Sequence, residues 1–352
     1  MTLSAYIHGD SAHVVFGLSP AERLKRQLPK VGVAVVDTAE GASMVLSGNC
    51  VYGASVLKAL ASAAPGAVLK DEDGRVAGVK GDDASLIDGP SPAHAKTGAE
   101  MAGRYDKVLR KRADPMVSRL GAVKAVEQEI FDATYKGVTD FVTKHVWPRP
   151  ALAAVRFCVR HGFSPNQVTY ASAVLVFVTL WLFWIGAFLP GLVTAYMMTF
   201  LDTVDGKLAR ATLTSSKMGD VLDHGIDLIH PPFWWWAWWV GLIAAGEGVA
   251  FFWLGAILFG YIAQRVLEGL FIWRFGIEMH IWRPFDSFFR KITARRNPNL
   301  VILTVFTLLG MPAEGFIAVA FWVIIGLLVH AWQIVEAYRA TQTGPIGSWM
   351  ED

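Results

Sequence analysis

Five aspartates crowd residues 201–227, LDTVDGKLARATLTSSKMGDVLDHGID, between two apolar runs, VTAYMMTF and PPFWWWAWWVGLIAAG. An ionised carboxylate at the edge of a membrane-like segment is costly, which makes such residues functional candidates. In a helix, positions three and four apart share a face. Asp202, Asp205, Gly206 and Ala209 fall within roughly 100° of one another on a helical wheel. Gly219, Asp223 and Asp227 are spaced by four and form a second stripe. TLTSS between the stripes can turn the chain and offers Thr214 to Ser216 as N-caps. Two antiparallel helices then present two carboxylates each to a common centre, and Gly206, Ala209 and Gly219 leave a groove beside them. Four facing carboxylates repel and stay partly protonated unless cations intervene. Hard divalent cations resolve this, and Mg²⁺ commonly works with carboxylates plus substrate phosphates. Two such ions can clamp a diphosphate for an in-line displacement. One carboxylate can also act as general base for an attacking hydroxyl.

These residues need helices to hold them, and the chain supplies long apolar runs after Pro165. The 352 residues are 53% apolar with 14 Trp and 21 Phe, and mean hydropathy is +0.39. Six spans are predicted, at about 166–187, 190–209, 217–244, 249–271, 299–311 and 314–336. The fifth is shorter than the ~20 residues a bilayer core needs. One set of connections, GAFLP, AGEGV and GMPAE, holds no Lys or Arg. The other holds Lys207, Arg210, Lys217, Arg274, Arg283, Arg290, Lys291, Arg295 and Arg296, with Arg339 in the tail, which places that side and both termini in the cytoplasm. Lys207 and Lys217 read as snorkelling or topology charges, Asp220 as a helix-start charge. His224 and His230 read as packing residues, the Trp cluster 234–239 as bundle or lipid packing.

Ahead of the spans, residues 1–98 read as a small soluble α/β unit. Ser19, Pro20 and Glu22 form a capping-box pattern that starts a helix. Strands are expected at 31–37, 43–47 and 67–71, a helix at 54–63, and a turn at DEDG into RVAGV. The alternation points to a mostly parallel sheet. Residues 99–164 read as amphipathic and juxtamembrane helices, with Met116, Leu120, Val123, Val126 and Ile130 at helical steps. Residues 135–162 mix basic and aromatic side chains, suited to an anionic membrane surface or to packing on the soluble unit. The bundle is assigned to 165–340 and a cytoplasmic tail to 341–352. Cys50 and Cys158 read as free thiols. The N-terminus lacks a basic region leading into an apolar core, so no signal peptide is expected.

The spacing Asp202-x-x-Asp205-Gly206-x-x-Ala209-Arg210, eight residues, then Gly219-x-x-x-Asp223-x-x-x-Asp227 resembles the signature of the CDP-alcohol phosphotransferases at every fixed position and gap. The resemblance covers about residues 135–340. It implies a mainly α membrane protein, a six-transmembrane-helix bundle whose polar cavity opens to the cytoplasm, preceded by a small cytoplasmic α/β domain, commonly a homodimer. It implies that a CDP-linked alcohol, often CDP-diacylglycerol, passes its substituted phosphate to an alcohol acceptor and releases CMP, in phospholipid synthesis. Asp202, Asp205 and Asp223 would ligate two Mg²⁺ or Mn²⁺ ions. Asp227 would complete the metal site and serve as base. Asp205, Gly206, Ala209, Gly219 and Arg210 would line the CDP pocket. SPNQVT (164–169) resembles the family's first span and brings Asn166 toward the diphosphate.

An acceptor phosphate could be held by Arg283 and Arg290, with Arg295 and Arg296 as further candidates; the same arginines also suit lipid headgroups. The N-terminal unit resembles a trimmed sugar-phosphate nucleotidyltransferase. It lacks a Gly-rich loop followed by Arg, and Asn49 stands where a metal-binding Asp is expected. It is therefore read as degenerate, with a structural, docking or regulatory role; retained CTP chemistry is the alternative. Three rival readings are a synthase using a CDP-polyol of the CDP-inositol type, a transporter, and a scaffold with an inactive site. A transporter would place its charges at the midplane of broken helices, and a scaffold would have lost a motif aspartate. No nucleic acid partner is expected; membrane lipid is.

Overall fold

In the computed structural model, residues 3–102, 105–106, 109–215 and 217–351 are described, without the side chains of Arg112 and of residues 217–224. They fall into two units. The first comprises Met1–Gly137 and Ala209–Thr214, the second Val138–Leu208 and Ser215–Asp352.

In the first unit, β1 (Leu3–His8), α1 (Pro20–Gln27), β2 (Val33–Val36), β3 (Met44–Ser47), β4 (Cys50–Tyr52), α2 (Ala54–Ala61), β5 (Val68–Lys70) and β6 (Val76–Val79) follow one another. A five-stranded sheet has the order β2-β1-β3-β6-β5. The predicted capping box starts α1, with Ser19 Oγ accepting from Glu22 N at 3.2 Å and Glu22 Oε2 accepting from Ser19 N at 2.8 Å. The core joins Leu24 and Leu28 to Met44, Leu46, Leu57 and Leu60 across the sheet. The expected mostly parallel sheet is only half so. β1 runs parallel to β2 and β3, while β6 is antiparallel to β3 and β5. The reason is local: the turn 71–74 is too short for a crossover, so it closes a hairpin. The strand β1, which lies between β2 and β3, was not expected, because LSAYIH lacks a clean alternation.

The first unit continues through α3 (Gly98–Met101), β7 (Tyr105–Asp106), β8 (Lys111–Arg112), β9 (Val117–Arg119) and α4 (Val123–Ala133). Met116 and Leu120 do not share a helix with Val126 and Ile130. They flank β9, which pairs antiparallel with β4, and the helix begins only at Val123. Both cysteines are free and buried; burial pushes the Cys50 thiol up to about 11, so it is inert as a nucleophile.

The second unit is helical: α5 (Pro148–His161), α6 (Pro165–Trp184), α7 (Phe188–Ala211, its last residues counted with the first unit), α8 (Lys217–Ala244), α9 (Phe251–Phe275), α10 (Pro284–Phe289), α11 (Arg296–Leu308) and α12 (Pro312–Ala340). The predicted spans fall on α6, α7, α8, α9, α11 and α12. Among the described residues, α6, α9 and α12 are long and apolar enough to cross a membrane. α7 and α8 carry the charged motif, and α11 has 13 residues, fewer than the ~20 of an untilted span. Phe183, Leu192, Met198, Trp234, Trp238, Leu254, Leu300 and Phe316 form the common core. Gly241 lets α8 meet the end of α6, since a Cβ there would run into the Phe183 carbonyl oxygen. Trp234, Trp235 and Trp238 are buried and Trp236 is exposed, so the tryptophan cluster both packs the bundle and faces outward.

Candidate active site

Asp202 and Asp205 lie in the second half of α7, Asp227 in the first half of α8, and Arg296 begins α11. Arg296 bridges the two motif helices. Its Nη2 donates to Asp202 Oδ2 at 2.6 Å, and its Nη1 pairs with Asp227 Oδ1. Asp205 is 4% exposed and accepts from Thr169 Oγ1 of α6 at 2.7 Å. The same hydroxyl has the Pro165 carbonyl as its alternative acceptor at 3.1 Å. The side chains of Asp202 and Arg296 are each 17% exposed, that of Asp227 39%. Among the described motif carboxylates, Asp227 is therefore the one most open to an incoming molecule. Ser172 Oγ, donating to the Met198 carbonyl at 3.3 Å, ties α6 to α7 behind them.

The other expected residues are less uniform. Gly219 and Asp223, with Lys217, Asp220 and His224, lie outside the described side chains. Gly206 is half-buried beside Asp205, and Asn166 is exposed in the first turn of α6. Ala209 and Arg210, at the end of α7, belong to the first unit. Lys207 is buried rather than snorkelling. His230 is bound through Nδ1 to its own helix at the Ile226 carbonyl, 2.6 Å, and packs on Trp234.

A second charged group lies among α9, α12 and the segment before α11. Arg295 Nη2 donates to both Glu268 oxygens at 2.6 Å, and Arg265 pairs with Glu268 at 3.2 Å. His280 and His330 approach the same carboxylate at 3.2 and 3.4 Å. Glu268, His280 and His330 have the composition of a metal site, but two guanidiniums already neutralise the only carboxylate. We read the group as an ion-pair network. Arg290 stands beside it with Nε and Nη1 buried and without partners among the described residues; Arg265 Nε and Arg295 Nε are in the same condition. Burial, and then the Arg295 charge, hold Arg290 well below its ordinary pKa. Arg283 is engaged elsewhere. It stacks 4.0 Å over Trp282 and forks onto Asp286 at 3.0 and 3.1 Å.

Sequence reasoning offered Arg296 only as a loop charge and further acceptor-phosphate candidate, quoted Thr169 only within SPNQVT, and overlooked Arg265 and Glu268. The excess of carboxylates over cations in the motif was a signal for Arg296. A lone Arg265 and Glu268 in a predicted span were a signal for the second group. Beside Asp227, an apolar groove of about 530 Å³ opens between α6 and α8, lined by Val176, Phe177 and Leu180 on one side and Gly225, Ile226 and Ile229 on the other.

Residues 163–335, which contain the whole Asp202–Asp205–Asp227–Arg296 constellation, match the family CDP-alcohol phosphatidyltransferase; this part of the chain belongs to that family of phosphotransferases. A more particular likeness is to the archaetidylinositol phosphate synthase of Pyrococcus horikoshii, 39% identical over 67 residues, which are 19% of this chain and 35% of that protein. The chain thus spans about a third of the length of the curated relative it matches.

Proposed function

We propose that the protein is an integral membrane transferase. It moves a substituted phosphate from a CDP-linked lipid, CDP-diacylglycerol in type, to the hydroxyl of a phosphorylated alcohol, and releases CMP. The observation that carries this is the convergence of motif carboxylates from α7 and α8 on one cation, Arg296. The six-span bundle with its active site toward the cytoplasm, and a homodimeric assembly, belong to the same reading and rest on the resemblance and the charge asymmetry of the connections.

The donor set fits a hard divalent ion: the described carboxylates offer only oxygens, and Arg296 stands where positive charge is needed. Asp202, Asp205 and Asp227, with Asp223, would hold Mg²⁺ or Mn²⁺. The ions would supply charge neutralisation to the diphosphate and its leaving oxygen. The chain's own residues do the rest. Thr169 fixes the Asp205 carboxylate. Asp227, the most exposed of the described carboxylates, accepts the proton of the acceptor hydroxyl. That oxygen forms a bond to the lipid-bearing phosphorus as the bond to the CMP phosphate oxygen breaks.

The apolar groove beside Asp227 favours a donor with acyl chains over a CDP-polyol. The unpartnered N–H groups of Arg265, Arg290 and Arg295 favour an acceptor carrying phosphate. The relative's name makes inositol phosphate the first acceptor to try. In the first unit, Asn49 donates to Asp88 at 2.9 Å, which supports a unit without nucleotidyl-transfer chemistry. The test is CMP release by the purified protein in nanodiscs with Mg²⁺, crossing CDP-diacylglycerol and CDP-polyol donors with phosphorylated and plain acceptors. Release only with a lipid donor and a phosphorylated acceptor is expected. Turnover of CDP-polyols alone would replace the lipid reading, and no release from any pair would remove the assignment.

A further inference from the structure

The motif helix ends against three cations of α1 and the turn after it. Arg23 Nη1 donates to the Ala211 carbonyl at 2.6 Å, Arg26 Nη1 to Thr212 at 3.0 Å and Lys30 Nζ to Leu213 at 3.4 Å. All six residues belong to the first unit. The last carbonyls of a helix have no partner within it, and that end carries about half a negative charge. Cations at three- and four-residue spacing meet both needs from a single face.

Arg23 is the telling member. It is 3% exposed, its Nε has no partner, and no carboxylate pairs with it among the described residues. A buried guanidinium without a carboxylate is destabilising unless something else holds its charge, and here the carbonyl end of α7 does so. Burial, then Arg26, lower its pKa to about 10, so it is cationic at neutral pH. The turn it grips is held tightly. Leu213 is in the left-handed region, φ 57°, costly for a branched side chain, and Thr214 N bonds back to the Ala209 carbonyl at 2.9 Å. The gripped turn contains the motif residues Ala209 and Arg210.

We propose that α1 is a positioning clamp on the end of the motif helix, through Arg23 first and Arg26 and Lys30 second. The first unit then serves the membrane reaction by fixing the last turn of α7 and its exit toward α8, without chemistry of its own. The clamp rests on the transferase reading for its consequence, and its geometry can be tested separately.

Two readouts decide it in the full-length protein in nanodiscs: amide hydrogen exchange of the peptide 205–215, and CMP release. In Arg23→Ala, exchange there should rise about tenfold, within the range of a lost helix-terminus charge contact, with β1 and β3 unchanged. kcat should fall by a similar factor, and KM for the CDP-alcohol should stay near the wild-type value. Arg23→Lys keeps the charge and one donor and should restore most of both. Unchanged exchange in Arg23→Ala overturns the proposal, and so does faster exchange without a fall in kcat. If Arg23→Ala also loosens β1 and β3, the double variant Arg26→Ala/Lys30→Ala decides. Its side chains are exposed, a roughly threefold change in both readouts is expected, and no change overturns the clamp. If the wild type releases no CMP, the transferase reading fails, while the exchange comparison still tells whether α1 holds the turn.

Discussion

Each unit of the molecule places one arginine between two aspartates, and the two arrangements differ in what is left over. In the first unit, Arg119 donates to Asp71 Oδ2 at 2.7 Å and to Asp88 Oδ1 at 2.8 Å. Asp71 Oδ1 takes the Arg75 amide at 2.8 Å. Asp88 takes Ser47 Oγ at 2.7 Å and Asn49 Nδ2 at 2.9 Å. All four oxygens are engaged, and the Asp71 side chain is fully buried. In the second unit, Arg296 pairs with Asp202 and Asp227. Among the described residues Asp227 has that one hydrogen-bond partner, and it is 39% exposed. Hydrogen-bond saturation, rather than the presence of paired carboxylates, separates a structural ion cluster from a site. Protein donors fill the first; the second keeps a carboxylate edge free for a cation or a substrate proton.

The largest test of that contrast is in the reaction itself. Asp205→Ala removes the buried carboxylate that Thr169 orients, and CMP release should drop at least ~10³-fold, the scale of losing a group that organises transition-state charge. Asp227→Asn should lower kcat by ~10²–10⁴-fold, the usual worth of a general base, while Mg²⁺ binding by the remaining carboxylates is partly kept. Steady-state CMP release, with Mg²⁺ titrated for each variant, measures both. A fully active Asp227→Asn would break the comparison, because the open carboxylate would then have no chemical role.

Replacing the arginines gives the next largest effects, of opposite kind in the two units. Arg119→Met leaves Asp71 buried without its cation, and the first unit should lose about 3–5 kcal/mol, with no rescue by Mg²⁺ because Ser47, Asn49 and the Arg75 amide still crowd the oxygens. Arg296→Met leaves Asp202 and Asp227 facing each other in a more open place, so the loss should be nearer 1–3 kcal/mol. Millimolar Mg²⁺ should recover most of it by binding the folded state. Thermal melts with and without EDTA, read separately for the two units by peptide-resolved exchange, distinguish the cases. Equal Mg²⁺ rescue of both variants would erase the difference between the clusters.

What could be read from the chain follows the same division. The spacing of Asp202, Asp205 and Asp227 was legible because a helix maps three- and four-residue steps onto one face. The cap at Ser19 was legible because its donors and acceptors lie within four residues. Arg296 was not. It is 94 residues from Asp202 and 69 from Asp227, and nothing local marks it apart from Arg295 beside it. Those adjacent arginines project to different partners, Glu268 for one and the motif for the other, a choice made by the packing of α11 on its neighbours. The strands β1 and β9 were missed for a related reason. Each is defined by pairing partners 30 to 70 residues away, and neither shows the alternation that would announce it. The saturation of Asp71 and Asp88 is largely non-local as well, since beyond the neighbouring Arg75 amide it gathers Ser47 and Asn49 from one segment and Arg119 from another.

The smallest effect probes the closed cluster by pH. Burial alone would raise the Asp88 carboxyl, but hydrogen bonds from Ser47, Arg119 and Asn49 outweigh it and hold the group below the usual carboxylate range. A carboxylate depressed in the folded state contributes stability that is complete above its unfolded value, near 3.9. That contribution is lost as pH falls through the folded value. Protection of β1 and β3 against amide exchange, corrected for the intrinsic rate at each pH, should therefore be flat from neutrality to about pH 4 and decline below it. The contribution of Asp88 is expected to stay under ~1 kcal/mol, because the group is only partly shielded from solvent. Asp88→Asn keeps an acceptor for Ser47 and Arg119 but cannot titrate, so it should flatten that decline while slightly lowering protection at pH 7. An unchanged decline in Asp88→Asn would mean that acid acts on the first unit elsewhere, and that the engaged oxygens of Asp88 contribute packing without charge.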